Sequence, residues 1–146
     1  MQSRCLNFKG SGFFNQEEQE VGVSLVSERL QQGESSGYFF QFAQQNNHVQ
    51  GYTCFGPIPG TQTSYDLYWI AVDNNLRGHG IGKNLLIQTE AEIAKRGGTR
   101  VYIETSSTNL YLPTCSFYEK NGYYLEAQLK DYYAPGDNKL LYTKIL

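Results

Sequence analysis

Seven consecutive residues, Arg77-Gly78-His79-Gly80-Ile81-Gly82-Lys83, carry the clearest chemistry in the sequence. Glycines at alternate positions let backbone N–H groups approach an anion, and a helix that starts inside the loop aims its positive end at the same point. Arg77 and Lys83 add cations, so a diphosphate fits this loop better than a neutral ligand does. A turn that needed glycine for steric reasons alone would not call for three glycines beside two cations. Two common phosphate loops are excluded by spacing. A Walker A loop has Gly five positions before the Gly of Gly-Lys, and Ser or Thr after the Lys; Arg77 and Asn84 stand there instead. A Gly-x-Gly-x-x-Gly loop would end on Lys83 counted from Gly78, or on Leu85 counted from Gly80.

The elements around the loop position it. Residues 67–72 form a nearly continuous apolar run, as in a strand covered on both faces, and lead directly into the glycines. Ile81, Leu85, Thr89 and Ile93 then recur every four residues, and Gly97-Gly98 closes that helix. A strand over 101–106 follows, which makes a right-handed βαβ unit with parallel strands. Upstream, the sequence predicts a helix over 15–32 and a hairpin of strands 38–43 and 49–55 about the polar break 44–47. Downstream it predicts a short helix over 115–121 and strands over 123–132 and 139–145 joined by the turn 134–137. The result is a mixed α/β sheet.

The 146 residues suit one domain, 40% of them are apolar, and no linker or low-complexity run interrupts them. A net charge of -2 gives no field to gather a polyanion, so nucleic acid is not an expected partner. Cys5, Cys54 and Cys115 are odd in number and widely spaced, which argues against a disulfide framework and against a metal site, and favours a reducing, cytoplasmic setting. No stretch has the roughly twenty apolar residues of a membrane span. Neither His79, at a variable loop position, nor His48, near the hairpin turn, is a candidate base, and Cys115 reads as a small packing residue.

The pattern Arg-x-x-Gly-x-Gly at Arg77, Gly80 and Gly82 resembles the acetyl-CoA diphosphate motif of the GNAT N-acetyltransferase superfamily. Leu67-Tyr68-Trp69-Ile70-Ala71-Val72 is similar to the family's central strand, 101–106 to its next strand, and Phe117-Tyr118-Glu119-Lys120-Asn121-Gly122-Tyr123 to its Tyr-x-x-x-Gly-Phe/Tyr segment. The resemblance covers residues 66–123 and implies the GNAT fold, with its parallel central strands splayed apart. It also implies acetyl-CoA as cosubstrate, with the diphosphate on 77–83 and the pantetheine arm on backbone groups of Ile70, Ala71 and Val72, as strand addition by a peptide-like ligand. Tyr111 and Thr114 depart from the Asn and Ala that many relatives carry there.

Amide formation from a thioester requires a base for the amine, donors for the oxyanion and an acid for the thiolate. Tyr118 stands where family members place the tyrosine that protonates the coenzyme A sulfur. A carboxylate near the strand start resembles the base position of some relatives, which points to Asp66, with Glu104 as the rival on the neighbouring strand beside Tyr102 and Ser106. Strict alternation would put Asp66, Tyr68, Ile70 and Val72 on one face. The oxyanion falls to a backbone N–H near Val72. The implied reaction is acetyl transfer to a primary amine of a small molecule or peptide. The other reading is a non-catalytic acyl-CoA sensor on the same fold. Asp131 and Asp137 in the last hairpin would suit a cationic acceptor or else belong to a charged turn, the reading the sequence favours slightly, and a homodimer through that hairpin is compatible with the sequence.

Overall fold

The computed structural model describes residues 30–76 and 78–146, so Cys5, Arg77 and all but the last three residues of the expected first helix lie outside the described residues; residues 30–32 are helical. Six strands make one mixed sheet in the order β1-β2-β3-β4-β6-β5. In chain order these are β1 (Phe39–Gln45), β2 (His48–Pro57), β3 (Ser64–Val72), α1 (Ile81–Lys95), β4 (Arg100–Ser106), α2 (Leu112–Lys120), β5 (Tyr124–Ala134) and β6 (Asp137–Ile145), with short 3-10 turns between some of them. Asn46 and Asn47 join β1 to β2 with φ of 52° and 64°, the left-handed pair that a two-residue hairpin turn requires and that Asn tolerates.

Every neighbouring pair is antiparallel except β3 and β4, which run parallel as the βαβ pattern requires. Their pairing is short: Ser64 with Arg100, Tyr65 with Val101, Asp66 with Tyr102, and no further. Yet β3 stays paired to β2 as far as Gly51 and Val72, and β4 stays paired to β6 as far as Ser106 and Lys139. The two central strands therefore part beyond Asp66, each held by its outer neighbour, with a backbone edge on either side of the gap.

A bulge accompanies the split. Cys54 of β2 pairs with Trp69 and Phe55 pairs with Leu67, which leaves Tyr68 as an extra residue on β3. The extra residue reverses the alternation of sides. Tyr65, Leu67, Ile70 and Val72 all join the core beneath the helices, whereas Trp69 and Ala71, with Tyr68 packed beside them, form a second cluster on the other face. Strict alternation is thus corrected: Asp66 and Tyr68 face away from Ile70 and Val72. Glu104 does share a face with Tyr102 and Ser106, since Val101, Ile103 and Thr105 take the buried side of β4.

Both helices pack on the same face. α1 buries Leu85, Leu86 and Ile93, and the buried hydroxyls of Thr53 and Thr89 meet at 2.7 Å, with Thr89 also donating to the Leu85 carbonyl at 2.7 Å. α2 buries Cys115 and Tyr118 against Tyr123 and Tyr142. Lys144 of β6 ties the two helices together, donating to both carboxylate oxygens of Glu90 on α1 at 2.8 and 3.0 Å and to the Asn121 carbonyl at the end of α2 at 2.9 Å. With Glu90 only 12% exposed, this pair is screened less than a surface one.

Close approach of β2 to the end of β3 depends on Gly51, where an added Cβ would lie 2.5 Å from the Ala71 carbonyl oxygen and 3.0 Å from Leu85 Cδ1. Gly51→Ala should cost about 1–3 kcal/mol, the scale of an overpacked core, read as a lower urea midpoint. An unchanged midpoint would mean that the end of β3 is not held in place by β2.

Candidate active site

The glycine loop ends in a helix start that is open. Gly80 precedes α1 with φ 77° and ψ 8°, no side chain caps the first turn, and that turn contains no acid. Most helices begin with a Ser, Thr, Asp or Asn whose oxygen takes these N–H groups. Here the first helical bond runs from the Asn84 N–H to the Gly80 carbonyl at 3.0 Å, which leaves the preceding N–H groups to an incoming anion. Gly78 also has a left-handed φ of 81°, and an added Cβ at either glycine would find no atom within 4 Å, so conformation and not crowding requires glycine there.

Beside this helix start lies a cavity of about 390 Å³, lined by Val72, Leu76, Gly78, Gly80, Ile81, Gly82, Lys83, Pro113 and Phe117. The end of β3, the loop, the start of α1 and the first half of α2 thus enclose one space. Of the residues expected to meet a cofactor, Val72, Gly78, Gly80, Ile81, Gly82 and Lys83 line it. Ile70 and Ala71 are fully buried in β3 and have only backbone to offer. His79 turns back on its own loop, with Nδ1 3.0 Å from the Leu76 carbonyl oxygen. Leu76, Pro113 and Phe117 line it too, a role the sequence does not assign them; Phe117 belongs to the Tyr118 segment, and the apolar residues flanking the loop are the available signal. Uncapped N–H groups and Lys83 at one end and an apolar wall at the other fit a diphosphate joined to a long, weakly polar arm.

The carboxylates lie on the opposite face. Burial, helped by the nearby Glu104 and opposed by Lys139, pushes the Asp66 carboxyl up to about 6. Asp66 is therefore ionised at neutral pH yet far more basic than an ordinary carboxylate. Glu104 is paired with Lys139 at 3.0 Å, and that ammonium stands 4.6 Å from the centre of the Tyr132 ring. Burial, together with Asp66, also holds the Tyr68 phenol well above its usual range, and Tyr38 meets Tyr68 edge-on at 5.5 Å. The structure brings Asp66 and Glu104 together on one face. Asp131 and Asp137, by contrast, are bonded within and beside the hairpin turn: Asp131 accepts from the Gly136 N–H at 2.8 Å and Asp137 from the Ser106 hydroxyl.

Tyr118 sits on the helix face, with no exposed surface, its ring packed on Phe117, Tyr123 and Tyr142 at centroid distances of 5.7, 5.9 and 6.2 Å. A candidate acid and a candidate base thus occupy opposite faces of the sheet, and the parting of β3 from β4 is the opening between them. Cys115 is a free, buried thiol in the same core, pushed up by burial and so unsuited to nucleophilic work. Among the described residues no group of His, Cys, Asp or Glu is placed to hold a metal ion, and no helix is long and apolar enough to cross a membrane.

The chain matches the model of the acetyltransferase (GNAT) family over residues 8–123. It is 41% identical to a protein assigned to the GNAT family of acetyltransferases from Desulfovibrio desulfuricans, over 92% of this chain and 85% of that one, with a TM-score of 0.89. Its fold is also similar to that of a GNAT family acetyltransferase from Elizabethkingia anophelis with acetyl-CoA bound, at 18% identity over 84% of this chain and 82% of that one, TM-score 0.68. An aminoglycoside 6'-N-acetyltransferase from Enterococcus faecium is 22% identical over 91% and 94% of the two chains, TM-score 0.66. No curated protein matches the chain. With its split central strands, its uncapped glycine loop and a family match over most of its length, the chain belongs to the GNAT acetyltransferase family.

Proposed function

We propose that the protein transfers the acetyl group of acetyl-CoA to a primary amine of a small molecule or peptide by direct attack. The observation that carries this reading is the placement of a raised-pKa carboxylate and a buried tyrosine on opposite faces of the sheet, with the β3–β4 gap between them. The N–H groups of residues 80–82 and Lys83 bind the diphosphate, with Arg77 as an additional cation by resemblance, and the β3 edge at residues 70–72 holds the arm, with the apolar wall of Leu76, Pro113 and Phe117 covering it. Structures of similar fold have been solved with acetyl-CoA bound, which supports this choice of cosubstrate.

On the other face Asp66 accepts the proton of the attacking amine, directly or through a water, and burial, aided by Glu104, keeps its basicity high. A backbone N–H near Val72 stabilises the carbonyl oxygen as it gains charge. Tyr118 then gives its phenolic proton to the departing sulfur. A sensor that only bound acyl-CoA would have no use for a half-buried carboxylate, whose desolvation destabilises the fold at neutral pH; Asp66 therefore favours the enzyme.

Thiol release from acetyl-CoA in a screen of primary amines tests the reading, and two variants assign the roles. Because Asp66 must be ionised to act, kcat/KM should rise with pH through about 6 and then level. Asp66→Asn should abolish that limb while leaving coenzyme A affinity nearly intact; if only Glu104→Gln does so, Glu104 is the base. The folded carboxyl binds its proton more tightly than the unfolded one, so its ionisation weakens the fold as pH rises from about 4 to 6. The same Asp66→Asn should thus raise Tm at pH 7, and lose that advantage below pH 4. Tyr118→Phe should lower kcat by at least about a hundredfold, the low end for a general acid, with little change in affinity. Full activity of Tyr118→Phe between pH 6 and 9 would reduce Tyr118 to packing.

A further inference from the structure

Thr105 is a buried residue of β4, 2% exposed, and among the described residues its hydroxyl has no hydrogen-bond partner. Three other buried threonines differ. Thr53 and Thr89 bond to each other, and Thr143 donates to the Val101 carbonyl at 2.9 Å. A buried hydroxyl without a partner destabilises a fold, which keeps one only where something compensates.

Its place in the sheet is specific. Thr105 lies three residues beyond the last β3–β4 pair, Asp66 with Tyr102, roughly 10 Å past the point where the strands part. Its side chain shares the buried side of β4 with Val101 and Ile103, beside its β6 partner Leu140, which belongs to the same core as Tyr118. Continuing the register past the split, and allowing for the extra residue Tyr68, sets Thr105 across the gap from Ile70, also on the helix face. That register places its position on the β4 side of the split, opposite the β3 edge already assigned to the arm.

We infer that Thr105 is a ligand-binding residue whose hydroxyl donates to a carbonyl oxygen of the acyl-pantetheine arm, an amide or the thioester, when that arm fills the split. The inference rests on the acyl-CoA reading above and adds to it a contact from β4, the strand across the split from β3. Before binding, the hydroxyl is a cost to the fold; after binding it is paired. One residue thus links stability of the free protein inversely to affinity.

Thr105→Val keeps the shape and removes the hydroxyl. Calorimetry with acetyl-CoA should show affinity weakened about three- to tenfold, the range of a neutral hydrogen bond, while Tm of the free protein rises. Thr105→Ser should bind as the wild type does. Wild-type affinity in Thr105→Val, or equal losses in the Val and Ser variants, would overturn the assignment. If Thr105→Val does not fold, Thr105→Ala against Thr105→Ser decides on the same criterion. A wild type that binds no acetyl-CoA would overturn the acyl-CoA reading itself, and the Thr105 contact with it; binding by the wild type with no Thr105→Val effect would overturn the contact alone.

Discussion

Everything distinctive in this molecule follows from two parallel strands that cease to pair after three residues. A parallel pair at the centre of a sheet ordinarily satisfies both inner edges along its length. Here each strand keeps only its outer neighbour beyond Asp66, and the inner edges face each other across a gap. Backbone groups in such a position are costly unless paired. The same groups, unlike those of an outer edge strand, sit between two layers of side chains, where a peptide-like arm can take the role of a missing strand. The site is in this sense a deliberate defect in the sheet.

The surrounding packing keeps that defect in one shape. Thr53 and Thr89 pin α1 to β2, and Lys144 bridges Glu90 on α1 to the end of α2, so the helices over the two halves of the sheet are tied to each other as well as to their strands. The Tyr68 bulge does a second job: it turns Asp66 and Tyr68 to one face while sending Ile70 and Val72 to the other. Without the extra residue, Asp66, Tyr68, Ile70 and Val72 would share one face.

Much of this was legible in the sequence, because the deciding features are local. Three alternate glycines between a strand and a helix, and a Tyr-x-x-x-Gly-Tyr run after the next strand, fix the loop, the βαβ unit and the position of Tyr118 within a short window. The bulge was not legible: Leu67-Tyr68-Trp69 is apolar and aromatic throughout, and a one-residue slip in such a run changes no residue type that alternation could register. The partners of Asp131 and Asp137 were also hidden, since an acid that bonds its own turn or the neighbouring β4 has the same composition as one that waits for a cationic ligand. Pro113 and Phe117 needed the third dimension, being brought to the loop by a helix some thirty residues away in the chain.

The central claim, that the β3–β4 gap and the start of α1 together receive acyl-CoA, is tested most directly by amide hydrogen exchange with and without acetyl-CoA. The account predicts protection rising by at least about tenfold at residues 70–72 and at 80–83, with the outer strand β5 unchanged. Protection confined to other parts of the chain, or spread evenly over the whole sheet, would contradict it.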